Sequence, residues 1–87
     1  MKKQDEELLI YKWRYYFKAV MDSIGASRIT PDSLINLALV NPSSSALCNS
    51  MEEGLLFANK AIESIKNDED MFLKYNNKDN AIEFKPV

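Results

Sequence analysis

Carboxylates, serines and one thiol are the side chains of this sequence whose chemistry could build a site. Asp68 and Asp70 are spaced like the first ligands of a calcium-binding loop, but the glycine and the later acidic ligands of such a loop are missing. We therefore interpret residues 67–70 as a solvated turn or helix cap. The serines at 43–45 have no base to activate them, because the chain contains no histidine. Cys48 is the single cysteine, which excludes a structural zinc site.

This chemistry predicts a protein that is not an enzyme. Two isolated glycines, Gly25 and Gly54, cannot form a phosphate-cradling loop. The sequence also lacks the pairing of a nucleophile with a base that an active site requires. We expect no catalytic residues, no cofactor and no bound metal.

A stripe of tyrosines and cations is the strongest candidate for a binding site. Tyr11, Arg14, Tyr15 and Lys18 have the spacing of one helix face. Tyrosine and arginine are enriched among the residues that dominate protein–protein binding energy. Two interpretations stay open. The tyrosines lie flat on the surface or are covered by the C-terminal segment, or the stripe is a protein-binding patch.

Leu56 and Phe57 are candidates for a second contact spot. Both are expected to lie outside the apolar arc of their helix, beside acidic and basic neighbours. The alternative is ordinary exposure, because much of a typical protein surface is apolar, or coverage by the C-terminal segment.

The stripe needs a long amphipathic helix to hold it, and residues 5–24 predict one. At 100° per residue its apolar side chains fall in an arc of about 120°. These are Leu9, Ile10, Trp13, Tyr16, Phe17, Val20 and Ile24. Gly25 stands where a left-handed residue should end the helix. Trp13 and Phe17 then face the core, and the tyrosine stripe faces outward.

Two further helices follow. Thr30 and Pro31 predict a helix at 31–40, because threonine suits the cap and proline the first turn. The third helix begins at Ser44 or at Ser50, where Ser50 and Glu53 fit a capping box, and it ends at residue 66. Its expected core arc contains Leu47, Met51, Gly54, Leu55, Ala58, Ala61, Ile62 and Ile65. The small residues of this arc would let another helix approach closely.

The C-terminal segment has two interpretations. Apolar residues alternate within MFLKY and AIEFK on either side of NNKDN, which favours a β-hairpin with a five-residue loop. Alternatively, residues 68–75 form a short fourth helix, and residues 81–87 form a tail. The predicted fold is therefore mainly α: a single domain, residues 1–87, of three principal helices followed by a C-terminal hairpin or by a short fourth helix and a tail.

Charge, hydropathy and cysteine content predict where the protein is located and which classes of partner it binds. The net charge is −2, with +2 in residues 1–30 and −4 in the remainder, which makes nucleic acid an unlikely partner. No apolar run approaches the length of a membrane span, and MKKQDEELL does not have the pattern of a signal peptide. One cysteine without a disulfide partner fits a reducing, cytoplasmic location.

The predicted element order resembles that of a winged helix-turn-helix domain. A long helix, the TPDSLINLALV helix, the NPSSS turn, a third helix and a hairpin follow one another, and NPSSSALCNSMEEGLL is similar to the turn and reading helix of that class. The resemblance implies a DNA-binding regulator. However, residues 43–59 contain no lysine or arginine, which a reading helix uses for phosphate contacts.

Three functions follow as hypotheses. The first is a protein-binding module: an adaptor, inhibitor or immunity-like accessory protein acting through its exposed helix face. Small accessory proteins of phages or mobile elements are similar in character. The second is the winged-helix-like DNA-binding regulator. The third is a homo-oligomeric structural subunit, for example a homodimer that uses the 34–40 helix and the small-residue face.

Overall fold

The computed structural model describes residues 3–86 of the chain. Its helices are α1 (Lys3–Ile24), α2 (Pro31–Val40) and α3 (Met51–Lys66), with a 3-10 helix at Pro42–Ala46. Its strands are β1 (Arg28–Ile29), β2 (Leu73–Asn76) and β3 (Ala81–Phe84), arranged antiparallel in the order β1-β3-β2. The predicted mainly α class with three helices is confirmed.

The first helix ends as its glycine predicts. Gly25 has a φ of +69°, in the left-handed region. Its N–H donates to the Asp22 carbonyl at 3.2 Å, and the Ala26 N–H donates to the Met21 carbonyl at 3.0 Å. This pair of bonds is a Schellman motif, which satisfies carbonyls that the helix end would leave free.

Side-chain caps begin the other two helices. The Thr30 hydroxyl accepts the Ser33 N–H at 3.3 Å, and the Ser50 hydroxyl accepts the Glu53 N–H at 3.1 Å. The third helix therefore starts after Ser50, and the alternative start at Ser44 is wrong. Pro42 begins a separate 3-10 turn there, because the Asn41 side chain accepts the Ser43 N–H and caps it.

The C-terminal segment is a hairpin, so the interpretation as a fourth helix with a tail is wrong. Leu73 pairs with Phe84, and Asn76 pairs with Ala81. The loop has four residues, 77–80, and not the expected five, because Asn76 belongs to the strand. β1 was not predicted from the sequence: it is two residues long and pairs with β3.

The core lies between α1, α2, α3 and the inner face of the hairpin. Its largest fully buried side chains are Trp13, Phe17, Met21, Leu34, Ile65, Leu73 and Ile82. The prediction that Trp13 and Phe17 face inward is confirmed. Their rings are tilted against each other with centroids 5.9 Å apart.

Three residues of the expected core arcs lie on the surface instead: Ile24, Met51 and Leu55. Ile24 and Met51 occupy terminal turns of their helices. Leu55 lies at one edge of the α3 arc, and the buried face of α3 is rotated towards the other edge. That rotation follows from burial of Phe57 and Ser64, which are seven residues apart and so share a face.

Gly54 has no Cβ, and this lets neighbouring side chains approach the α3 backbone closely, as its position in the small-residue arc predicts. A Cβ at this position would lie 2.9 Å from both the Cys48 sulfur and the Leu39 side chain. Cys48 is half-buried, and its thiol donates to the Ser44 carbonyl at 3.4 Å. The segment between α2 and α3 therefore packs directly on the α3 backbone.

Two expectations concern membranes and targeting. Across residues 3–86, none of the helices combines the length and the apolar character that crossing a bilayer requires. Met1, Lys2 and Val87 lie outside the described residues. The expectation that the N-terminal segment is not a signal peptide therefore stays a prediction.

Candidate protein-interaction surface

Arg14 does not stand in solvent beside the tyrosines, and the prediction of an exposed cation there is wrong. Its Nε lies 3.0 Å from Oδ1 of Asp70, and the two side chains are only 14% and 8% exposed. Its Nη1 donates to the Ser64 hydroxyl at 3.0 Å. The Nε–H is not aligned with the carboxylate, so that contact is an ion pair without a hydrogen bond. Arg14 sits at the edge of the α1 core face, from which its long side chain reaches α3.

Asp70 is a structural residue of this junction. Its Oδ2 accepts the N–H groups of Phe72 and Leu73, at 2.9 Å and 2.7 Å. One carboxylate therefore holds Arg14 with one oxygen and orders the start of β2 with the other. The expected solvated turn is wrong for Asp70, whereas Asp68 is exposed. No group of three metal-ligating side chains occurs in the described part of the chain.

Tyr11 and Tyr15 lie on the outer face of α1, where they are 50% and 61% exposed. We call this pair the tyrosine ridge. The Arg14 guanidinium carbon lies 5.8 Å from the centre of the Tyr11 ring, so that ring covers one side of the buried ion pair. The ridge is thereby supported from below by a fixed structure.

A narrow depression borders the ridge on the side of the hairpin. It lies between the two tyrosines and Phe72, a half-exposed residue at the start of the hairpin. The Lys18 ammonium lies 5.6 Å from the centre of the Phe72 ring and 3.3 Å from Asp22. Phe72 belongs to the surface but was not a candidate. Its position next to inward-facing Leu73, within the predicted hairpin, was the signal that it faces out.

An open groove of about 510 Å³ borders the ridge on its other side, between α1 and the 3-10 helix. Its lining is Tyr11, Lys12, Tyr15, Tyr16, Ala19, Ser43, Ala46 and Leu47. Tyr16 is half-buried there and donates its hydroxyl to the Ala38 carbonyl at 2.7 Å. Burial raises the pKa of Tyr16, and the nearby Cys48 adds to the effect.

Positive charge frames this surface. Lys12 lines the groove and forms no ion pair with the side chains that the structure describes. Lys18 lies beside the hairpin depression. The surface therefore combines exposed aromatic rings, an apolar groove and two ammonium groups.

Leu56 and Phe57 have different environments. Leu56 is 52% exposed and lines a separate cleft between α1 and α3. Phe57 is only 5% exposed, so the expectation that it lies on the surface is wrong. It turns into the core at the edge of the rotated α3 face, and the Lys60 ammonium lies 5.2 Å from the centre of its ring.

The outward face of α3 is acidic and apolar. Its exposed side chains include Glu52, Leu55, Leu56, Asn59 and Glu63. The two lysines of α3 are already engaged: Lys60 pairs with Glu6, and Lys66 lies 3.7 Å from Glu63.

The cations of the sheet are also neutralised. Arg28 lies 2.6 Å from Asp79 and 2.8 Å from Glu83. The hydrogen bond that Arg28 donates to Asp79, together with the charge of Glu83, raises the pKa of Arg28. Lys85 lies 2.8 Å from Asp68, and that ammonium lowers the pKa of the Asp68 carboxyl through a hydrogen bond and its charge.

The small-residue face of α3 is not available to a second copy. Gly54, Ala58 and Ala61 are buried in the chain's own core. That part of the predicted oligomer interface is therefore wrong. On α2, Leu37 and Val40 remain exposed.

Comparisons with protein-family models, curated proteins and solved structures find no match to this chain.

Proposed function

We propose that this chain is a non-enzymatic protein-binding module whose partner docks on the tyrosine ridge of α1. The observation that carries the proposal is the position of Tyr11 and Tyr15, which stand half-exposed between two depressions. A partner side chain could fill the groove beside the 3-10 helix while the rings form the centre of the contact, whereas the depression beside Phe72 is too small to admit one. Interfaces concentrate their binding energy on tyrosines of this kind.

Rigidity of the ridge supports the proposal. A tyrosine loses little conformational entropy on binding, because it has only two side-chain torsions. The ridge stands on a helix of 22 residues, and Arg14 supports it beneath Tyr11. Contacts presented by such an element need little ordering when a partner arrives.

The chemistry of the partner follows from the ridge's surroundings. The Lys12 ammonium favours acidic residues at the rim of the partner's surface, which would speed association, whereas Lys18 already pairs with Asp22 at 3.3 Å. Apolar side chains of the partner would face the groove. An adaptor, inhibitor or immunity-like accessory protein acts through contacts of this type, and the lone thiol fits a cytoplasmic setting.

A capture experiment tests the proposal. The immobilised full chain is exposed to lysate of its source cells, and the retained protein is identified and titrated. We expect Tyr15→Ala to weaken this complex at least about 30-fold, which is about 2 kcal/mol and the threshold for a binding hot spot. Val40→Ala truncates an exposed apolar residue on α2 and serves as the matched control. A partner that binds the Tyr11→Ala/Tyr15→Ala variant as tightly as the unmodified chain contradicts the proposal.

The element order favours a second candidate, a DNA-binding regulator. Three helices followed by a hairpin agree with the resemblance to winged helix-turn-helix domains. Charge argues against it: residues 43–59 have no cation, and the α3 lysines are paired with carboxylates. Titration with random duplex DNA at low salt separates the candidates. Salt-sensitive binding would favour the regulator, because displaced counterions drive such association.

The third candidate, a homo-oligomeric subunit, would use the exposed end of α2. Leu37 and Val40 are the apolar side chains that α2 leaves uncovered. Sedimentation at several concentrations tests it. A molecular mass that increases with concentration and returns to the monomer value in Val40→Glu would favour self-association.

A further inference from the structure

A cleft of about 710 Å³ runs between α1 and α3, and neither tyrosine of the ridge lines it. Ile10 of α1 and Leu56 of α3 are the apolar side chains of its lining, and Leu56 is half-exposed. Its lining extends along α3 from Leu56 to the C-cap residue Asn67. Eleven residues of helix rise about 16 Å, which is the length of about five residues of extended chain. We call this feature the acidic cleft.

Carboxylates predominate around this cleft. Glu7, Glu63 and Glu69 line it and are exposed. Glu7 and Glu69 have no cationic partner among the side chains that the structure describes, whereas Glu63 pairs with Lys66 at 3.7 Å.

The two cations of the lining do not offset these acids. Arg14 is held by Asp70, and Lys60 is held by Glu6. Each pair neutralises itself, so negative charge remains along both sides of the apolar side chains. An incoming basic group would meet the carboxylates of Glu7 and Glu69, which pair with no cation in the part of the chain that the structure describes.

We propose that the acidic cleft binds a short cationic segment of a partner protein. An apolar side chain of that segment sits between Ile10 and Leu56. Lysine or arginine residues on either side of it pair with Glu7 and Glu69. The charge preference is opposite to that of the tyrosine ridge, where the Lys12 ammonium favours acids. The cleft is therefore a separate site, and the inference does not depend on the ridge.

A cleft with apolar side chains at its centre and carboxylates at its rim favours a cationic peptide segment that carries one apolar residue. A phosphate or nucleic acid would face three carboxylates, and like charges in contact are repelled. A free polyamine could satisfy the charges but has no side chain to cover Leu56. A peptide segment with one apolar residue among lysines satisfies both parts of the cleft.

Fluorescence anisotropy with synthetic peptides tests the inference on the full chain. The probe is a labelled nine-residue peptide with lysines on both sides of one central leucine. Its controls replace that leucine with serine, or every lysine with glutamate. We expect the lysine–leucine peptide to bind, the serine peptide to bind about tenfold more weakly, and the glutamate peptide not to bind. Raising the salt from about 50 mM to about 300 mM should weaken the complex, because exposed charges are then screened.

Variants of the chain locate the site. Leu56→Ser should weaken binding of the lysine–leucine peptide about tenfold, and Glu7→Gln/Glu69→Gln about fivefold. Glu52→Gln/Asp32→Asn removes the same charge from exposed residues outside the cleft and should change the affinity less than about twofold. Far-UV circular dichroism checks that each variant stays folded, as expected for exposed positions.

Several results would overturn the inference. The first is that the lysine–leucine peptide does not bind. The second is that the cleft variants and the matched charge control lose the same amount of affinity for it. The third is that the leucine and serine peptides bind with equal affinity. Equally strong binding of spermine at the same residues would assign the cleft to free polycations instead. Tyr15→Ala should bind the peptide normally, so failure of the ridge proposal and failure of the cleft proposal are distinguishable.

Discussion

Arg14 and Asp70 face each other at 3.0 Å in a junction that solvent barely reaches. The pair joins the middle of α1 to the segment between α3 and β2. Ser64 receives a hydrogen bond from the same guanidinium, so three elements meet at one side chain. This junction, rather than an exposed arginine, supports the tyrosine ridge.

Loss of Arg14 should destabilise the protein. We expect Arg14→Ala to lower the free energy of unfolding by about 3 kcal/mol, because the buried Asp70 carboxylate loses its counter-charge. Urea denaturation followed by circular dichroism measures the loss. Lys18→Ala, at a neighbouring half-buried cation, should cost less than about 1 kcal/mol, the upper end for an exposed pair. Equal losses in the two variants would argue against the junction. Arg14→Ala is therefore unsuitable as a probe of partner binding.

Asp70→Asn should be milder than Asp70→Ala. The amide oxygen of asparagine can still accept the N–H groups of Phe72 and Leu73, whereas alanine leaves both donors without a partner. Each buried donor left unpaired costs about 1–3 kcal/mol. The difference between the two unfolding free energies measures this effect. A difference below about 0.5 kcal/mol would mean that water replaces the carboxylate easily.

Trp13 should be the most costly aromatic side chain to truncate. It is fully buried, and we expect Trp13→Ala to cost about 3–5 kcal/mol. Trp13→Phe should cost less than half as much, because Nε1 has no hydrogen-bond acceptor among the described residues. Thermal and urea unfolding are followed by circular dichroism, since the only tryptophan is lost. A cost below about 1 kcal/mol for Trp13→Ala would contradict the inward orientation.

Tyr16 completes the end of α2. The Ala38 carbonyl would normally accept the N–H of residue 42, but Pro42 has none, and the Tyr16 hydroxyl donates instead at 2.7 Å. We expect Tyr16→Phe to cost about 1–2 kcal/mol at neutral pH. Tyr11→Phe is the control, because its hydroxyl forms no hydrogen bond within the described residues.

Ionisation of the same hydroxyl should make the free energy of unfolding depend on pH. Burial raises its pKa above the ordinary value of 10.0, so the unfolded chain ionises first. The stabilisation is fully present below pH 10.0 and is lost as the pH rises through the folded pKa. Urea titrations between about pH 9 and pH 11 should show a smaller decline for Tyr16→Phe than for the unmodified chain. Parallel declines would contradict the assignment.

Asp68 should stabilise the fold at neutral pH and lose this effect in acid. Lys85 lowers the pKa of Asp68 below its ordinary value of 3.8, so the stabilisation is present above that value and is lost as the pH falls through the folded pKa. Asp68→Asn keeps a residue that tolerates the φ of +61° and removes the charge. Its melting temperature should vary less with pH in this acidic range. An NMR titration of the Asp68 carboxyl that gives an ordinary pKa would contradict the prediction.

Local signals in the sequence predicted most of the helix ends. Thr30, Pro31 and Ser50 act through neighbouring backbone groups, and Gly25 acts through its own φ. Their effects need no knowledge of the rest of the fold. The period of the apolar residues likewise placed Trp13 and Phe17 inside.

The errors arose where distant parts of the chain meet. Arg14 turns inward because Ser64, 50 residues later in the chain, accepts its hydrogen bond. Phe57 is buried because α3 packs on several elements at once, which widens and rotates its buried face. β1 exists only because β3 pairs with it. Periodicity within one segment contains none of this information.

Only some residues of the acidic cleft could be predicted from the sequence. Leu56 was a candidate because it fell outside the apolar arc of its helix. Glu7 and Glu69 were not, since 62 positions separate them in the chain and only packing of α1 on α3 brings them to one cleft.

The distance along the chain from Arg14 to Ser64 also orders events during synthesis. At about 5–20 residues per second, the ribosome would need about 3–10 s to add the 50 residues that separate them. For that interval the nascent α1 carries its indole and phenyl rings without the surface that later covers them. A translation product that stops before α3 would therefore be a natural client for chaperones, whereas the finished chain would not.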